Sequence, residues 1–134
     1  ALPRVVLVDA LLDEALLATY HSDGVLVATA TGSTAYALAA GGPIVDPRSN
    51  ALVLVAVAAH LTNVPSMVLH EDVHLELVLR SRHQALLAVD GRDTLPLQEG
   101  DVVRVRRSEL RCTFARVHPP GHFYASLSQR LRRE

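Results

Sequence analysis

Lysine is absent from the chain, and all 13 basic residues are arginine. That excludes a Schiff-base lysine and the GxxxxGKS/T phosphate loop, whose ammonium group reaches the β- and γ-phosphates. ATP, if it is used, has to be held by other means. Cysteine occurs once, as Cys112, so neither an internal disulfide nor a multi-cysteine zinc site can form, which fits a reducing cytoplasm. Tryptophan is missing and aromatics make up 4% of the residues, too few for the stacking platforms of a single-stranded nucleic-acid surface. Apolar runs such as residues 51–59 fall far short of the ~20 residues of a membrane helix, and the N-terminus lacks the order of a signal peptide. A net charge of -1 argues against bulk attraction to nucleic acid or anionic membrane. The expectation is a soluble, cytoplasmic protein with no nucleic-acid or membrane partner.

What is present is enough for a core. At 134 residues and 49% apolar content, one domain spanning residues 1–134 can bury roughly two thirds of its extended surface. Short apolar runs at residues 5–8 and 16–20, separated by an acidic segment, predict a β-hairpin. Asp23-Gly24 marks a turn into a third strand, residues 25–28. From Thr34 to Ala40 the residues are small and helix-compatible, with Thr31 or Ser33 as N-cap and Gly41-Gly42-Pro43 as the stop. Residues 52–57 read as a strand buried on both faces, ended by Asn63 and Pro65. Leu75, Leu77 and Leu79 alternate on a half-exposed strand. Asp90-Gly91 signals a two-residue hairpin between residues 85–89 and 94–98. Val103 and Val105 alternate with Arg104 and Arg106, residues 111–117 give a further strand, and Leu127 and Leu131 have helical spacing. The fold class is mostly β, about eight to ten strands with two short helices.

The most informative segment is Asp23-Gly24-Val25-Leu26-Val27-Ala28-Thr29-Ala30-Thr31-Gly32-Ser33-Thr34-Ala35-Tyr36, followed by Gly41-Gly42-Pro43-Ile44-Val45 and Pro47. As chemistry, Thr31-Gly32-Ser33-Thr34 is a strand-to-helix turn offering backbone N–H groups and hydroxyls to a phosphate or an adenine edge; an ordinary N-cap is the plainer use of the same residues. As a pattern, the block closely resembles the signature of the NAD kinase family. Further similarity lies in Ala59-His60-Leu61 with Asn63 and Pro65, in Val89-Asp90-Gly91, and in Gly100-Asp101 with Arg106-Arg107-Ser108.

That resemblance implies the sandwich-like C-terminal domain of an NAD kinase, which transfers a phosphoryl group from ATP or polyphosphate to the 2′-hydroxyl of the adenosine ribose of NAD, giving NADP. It implies that Thr31, Gly32, Ser33, Thr34, Ala35 and Tyr36 surround the adenosine, and that Asp23 makes a nucleotide contact, often across a subunit boundary. Ala59 and His60 would line the nicotinamide side. Asp90 and Gly91 would lie near the reacting ribose and phosphate, with Asp90 orienting a hydroxyl or metal. It also implies a homodimer or homotetramer and Mg²⁺ or another divalent cation in the full enzyme, with no metal ligand assigned to this chain. The family's GGDGT motif is absent from the 134 residues, Pro3-Arg4 stands where an Asn-Glu or Asn-Asp pair is usual, and Ala30 and Val64 replace a proline and an arginine. The competing reading is a non-catalytic nucleotide-binding or oligomerisation module.

Two patterns point elsewhere. His70-Glu71-Asp72-Val73-His74 matches the HExxH zinc-protease motif, which works only on a helix, where i and i+4 imidazoles converge on one metal. Its flanks predict strands instead. Arg104, Arg106, Arg107, Arg111 and Arg116 could form a basic ribbon for nucleic acid, but with Phe114 the lone aromatic nearby in sequence they read as a solvated strand face.

Overall fold

A computed structural model describes residues 5–34, 36–58, 64–108 and 122–132. Strands dominate. β1 (Val6–Leu12) and β2 (Ala15–Ser22) form the expected antiparallel hairpin. β1 is longer than the apolar run suggests, because Asp9 faces outward and does not interrupt it. Thr19 Oγ1 donates to Asp9 Oδ1 at 2.6 Å, Arg80 Nε donates to Oδ2 at 2.9 Å, and the following Ala10 is fully buried. The Thr19 bond, reinforced by Arg80, holds the Asp9 carboxyl below its ordinary pKa against the opposing effect of burial. At the hairpin tip Asp13 and Glu14 both have positive φ, 48° and 71°, the backbone of a tight turn whose twist suits the strands. Asp13 is held there by exchange with His74, its N–H donating to His74 O and its Oδ1 accepting from His74 N, each at 2.9 Å.

β6 (Leu75–Leu79) and β9 (Val102–Val105) complete a sheet in the order β2-β1-β6-β9. A second sheet runs β3 (Gly24–Thr29), β4 (Leu52–Val57), β5 (Met67–Leu69), and β7 (Ala85–Val89) with β8 (Asp93–Leu97) forms a separate ribbon. These nine strands, counted among the described residues, agree with the expected mostly-β class; residues 111–117 and Asn63 lie outside them. Both sheets feed one apolar cluster, Val8, Ala10, Tyr20, Leu75 and Leu79 from the first meeting Leu52, Leu54 and Leu69 from the second. The intervening β4 residues, Val53 and Val55, point the other way into a smaller cluster with Ala30, Ala37 and Val45. The period of two along a strand thus assigns successive residues of β4 to different cores, as a run covered on both faces requires, at about 2 kcal/mol of transfer free energy per side chain.

α1 (Tyr36–Ala39) is short, and α2 (His122–Arg132) closes the described chain. Leu127 is buried on α2, whereas Leu131, one turn on, is 47% exposed. Only the first of the two helically spaced leucines is buried.

Candidate functional site

β3 delivers the chain from Asp23 at one end of the second sheet to Thr29 at the other, where a 3-10 turn, Thr31–Thr34, leads into α1. The turn is built from its own side chains. Ser33 is completely buried; its Oγ donates to Ala30 O at 2.7 Å and accepts the Val45 N–H at 3.1 Å, while its own N–H also reaches Ala30 O at 3.2 Å. Ser33 therefore supports the turn from beneath, instead of capping α1 from the expected N-cap position. Gly32 N–H donates to Thr29 Oγ1 at 3.3 Å, and Thr31 stands exposed above. Four residues of α1 carry too little aligned dipole to attract an anion by themselves; hydroxyls and backbone groups of the turn remain as its chemistry. Thr34 and Tyr36 continue the backbone of the turn and the first position of α1. Ala35, Ala59 and His60 lie outside the described residues.

The floor that β4 provides under α1, where Ala37 packs on Val53 and Val55, depends on Gly42. Its N–H donates to Ala37 O at 2.8 Å, and a Cβ there would stand 2.7 Å from that oxygen and 2.8 Å from Val55 Cγ2. Gly32 differs: a Cβ would meet nothing closer than Ala28 Cβ at 3.4 Å, an ordinary contact.

Beyond Gly42 the loop reaches Asp46, whose importance residue pattern alone did not reveal. Asp46 Oδ1 accepts from Arg48 N at 2.9 Å and Arg48 Nε at 3.0 Å, and Oδ2 accepts from Arg48 Nη2 at 2.6 Å and from the Tyr124 hydroxyl at 2.8 Å. The Arg48 side-chain bonds, followed by the Arg48 backbone bond and Tyr124, hold the Asp46 carboxyl far below the usual carboxylate range. The same Asp46 bond raises the Tyr124 phenol above its ordinary value.

The remaining candidates fall elsewhere. Asp23 is exposed at the opposite end of β3, its N–H donating to Val57 O at 2.9 Å. The six residues of β3 separate it from Thr31 by about 20 Å at ~3.3 Å per residue. Asp90 and Gly91 occupy the exposed tip of the β7–β8 ribbon with φ of 52° and 69°. The tip has three residues where two were expected: Val89 pairs with Asp93, leaving Arg92 as an extra residue whose N–H donates to Val89 O at 3.0 Å. The ribbon is anchored by Ala85 and Leu97 against the main core, while Leu86, Val89 and Leu95 are more than half exposed.

The HExxH pattern is not helical. It spans the connection from β5 to β6, His70 Nδ1 accepts from Asp72 N at 3.0 Å, and His74 is engaged with Asp13. His70, Glu71 and Asp72 do bring ligand atoms within 4.8 Å of one another, but none of the nucleotide-site candidates is among them. The arginine ribbon is partly neutralised, Arg104 by Glu76 and Arg107 by Glu71, each at 3.5 Å. An open groove of about 610 Å³ beside the β1–β2 turn, between Glu14 and Arg106, has mixed charge and contains no residue of the Thr31 turn. No helix among the described residues is long and apolar enough to cross a membrane.

Residues 2–117 match the family model of the ATP-NAD kinase C-terminal domain. An NAD kinase of Chloroflexus aurantiacus is 67% identical over 132 residues, covering 98% of this chain and 48% of that protein. An NAD kinase of Dehalococcoides mccartyi is 37% identical over 129 residues, 96% and 45% of the two chains. The chain spans about half the length of the curated relatives it matches. Among solved structures, an NAD kinase from Archaeoglobus fulgidus in complex with ATP superimposes with a TM-score of 0.71 at 26% identity, over 79% of this chain and 41% of that one. Yeast NADH kinase complexed with NADH gives a TM-score of 0.65 at 31% identity, over 78% and 31%.

Proposed function

The chain belongs to the ATP-NAD kinase C-terminal domain family, and from that premise we propose that it is a single domain forming the dinucleotide-binding half of an NAD kinase. The complete enzyme would move a phosphoryl group from ATP or polyphosphate to the 2′-hydroxyl of the adenosine ribose of NAD, releasing NADP. Phosphoryl transfer rests on positioning and charge stabilisation. Positioning is the share proposed for this domain.

One observation supports this most directly. The Thr31 turn is held from within and open above: Ser33 is buried and bonds Ala30 and Val45, Thr31 is exposed, and Gly32 has space for a methyl group that the fold does not use. A glycine that packing does not require is understandable where a ligand approaches the backbone closely. Thr31, Gly32, Thr34, Ala35 and Tyr36 are proposed to meet the adenosine through hydroxyl and main-chain groups, with Ser33 setting the shape of the turn.

Because about 20 Å of strand separates Asp23 from Thr31, the two cannot close on one adenosine within a single copy. Asp23 is therefore proposed to serve a nucleotide held by a neighbouring copy, in a cytoplasmic homodimer or homotetramer. Ala59 and His60 are proposed to line the nicotinamide side of the dinucleotide. Asp90 and Gly91 are proposed to face the ribose and phosphates. Asp90 is proposed to orient the ribose hydroxyl or, together with the substrate phosphates, a divalent cation such as Mg²⁺, an ion commonly bound by one or two carboxylates and phosphates. Such an ion would neutralise phosphate charge during transfer.

The test is calorimetric titration of the full-length gene product with NAD, together with an assay for NADP formation from ATP. Micromolar to millimolar binding with turnover is expected. Neither heat nor NADP would end the proposal, and binding without turnover would leave the non-catalytic nucleotide-binding module.

A further inference from the structure

We propose that Asp46 and Tyr124 are positioning residues that lock the C-terminal helix onto the nucleotide turn, so that α2 sets the affinity of that turn for the dinucleotide. The proposal rests on the functional reading above. It starts from a continuous set of contacts. Ser33 Oγ fixes the turn through Ala30 O and is itself held by the Val45 N–H. Val45 is buried in the cluster with Ala30, Ala37 and Val53, and the next residue, Asp46, accepts the Tyr124 hydroxyl at 2.8 Å. Tyr124 and Leu127 stand three residues apart and share a helix face. Leu127 is buried and Tyr124 half exposed, so apolar anchoring and the hydroxyl act from the same side of α2.

The contact joins parts of the chain 78 residues apart. It involves one carboxylate oxygen that also takes Arg48 Nη2. Arg48 keeps the carboxylate oriented when the phenol leaves, which separates the two roles: Arg48 shapes the loop locally, and Tyr124 adds α2 to it. Loss of the hydroxyl should leave the turn folded while enlarging the range of positions that Val45, and hence Ser33, can adopt. A ligand must then select the binding-competent arrangement, which lowers apparent affinity without changing the reacting groups.

The experiment compares Tyr124→Phe with the unsubstituted full-length gene product. Asp46→Asn is a second variant, and Leu131→Ala, one turn beyond Leu127 and 47% exposed, is a control. Steady-state kinetics should show KM for NAD raised roughly three- to tenfold in Y124F, with kcat within about twofold and KM for ATP unchanged. Amide hydrogen exchange should be faster at Ser33 and Val45, and L131A should match the unsubstituted protein in both readouts. A change in global stability alone would not produce that split. An unchanged KM for NAD in Y124F overturns the proposal, as does faster exchange across the whole chain with no selectivity for the turn. If D46N does not fold, Y124F decides alone. If the unsubstituted protein shows no dinucleotide binding, the functional reading fails and this proposal with it, whereas intact binding that is indifferent to Y124F removes the lock and leaves the functional reading standing.

Discussion

Replacing Gly42 by alanine tests whether the floor that β4 provides under α1 is as tight as its geometry indicates. The added Cβ would lie 2.7 Å from Ala37 O and 2.8 Å from Val55 Cγ2. Restoring ordinary contact at 3.4 Å needs a shift of about 0.7 Å from a backbone oxygen that Gly42 N–H itself bonds at 2.8 Å. Overpacking of this kind costs about 1–3 kcal/mol, and the weakened hydrogen bond adds about 1 kcal/mol. Reduced freedom of the unfolded chain returns about 0.4–1 kcal/mol. The expected net loss is about 2–3 kcal/mol, or a drop in Tm of about 10 °C for a domain of this size. Gly41→Ala is the comparison, since its φ is +89° but nothing lies within 4 Å of its Cβ position. There only the left-handed backbone is penalised, at about 1–2 kcal/mol. Urea denaturation of both variants should rank G42A as the more damaging. If G42A loses less than about 0.5 kcal/mol, or less than G41A, the account of a floor sealed against β4 is wrong.

Ser33→Ala strands the buried Val45 N–H and should cost about 1–3 kcal/mol in urea denaturation; a change below about 0.5 kcal/mol would mean that Ser33 does not hold the loop. Tyr20 is 1% exposed, its hydroxyl has no partner among the described residues, and burial raises its pKa. Tyr20→Phe should therefore be neutral or stabilising by about 1 kcal/mol in a thermal melt, and clear destabilisation would refute that. The Asp46 pKa is depressed below the ordinary 3.8, so its stabilisation is complete above about pH 4 and disappears as acid brings the pH down through the folded value. Tyr124 is raised above 10.0, so its contribution is present below pH 10 and is lost as pH climbs through the raised value. Ultraviolet titration of the phenols should show Tyr124 ionising above pH 10, with the α2 contact unchanged between pH 5 and 9; ionisation at or below pH 10 would contradict the bond.

Legibility in the sequence followed how local the controlling physics was. β4 was readable because four consecutive apolar residues, Leu52 to Val55, have no polar position to expose. The Leu75, Leu77, Leu79 alternation was readable for the opposite reason, one face being polar. Asp9 misled because an acidic residue inside a strand looks like a break until its partners Thr19 and Arg80, 10 and 71 residues away, are known. The Asp90-Gly91 turn was legible, yet the extra Arg92 was not, since register depends on both strands. In the candidate site, the motif pointed to Thr31 to Tyr36, but nothing local distinguishes Thr31, which faces solvent, from Ser33, which is enclosed by Ala30 and Val45. Asp46 and Tyr124 were missed because their relation exists only after 78 residues of chain have folded back.

The division of β4 between two cores constrains its length more tightly than its composition. Exchanging Val53 for isoleucine is a local matter of one methylene. Inserting a single residue at Ala51 would rotate the whole strand, sending Leu52 and Leu54 toward Ala30 and Ala37 and delivering Val53 and Val55 to Tyr20 and Leu75. Both cores would be mispacked at once, with the Thr31 turn resting on one of them. Natural variation in this segment should therefore consist of replacements, with gaps and insertions displaced to the loops on either side.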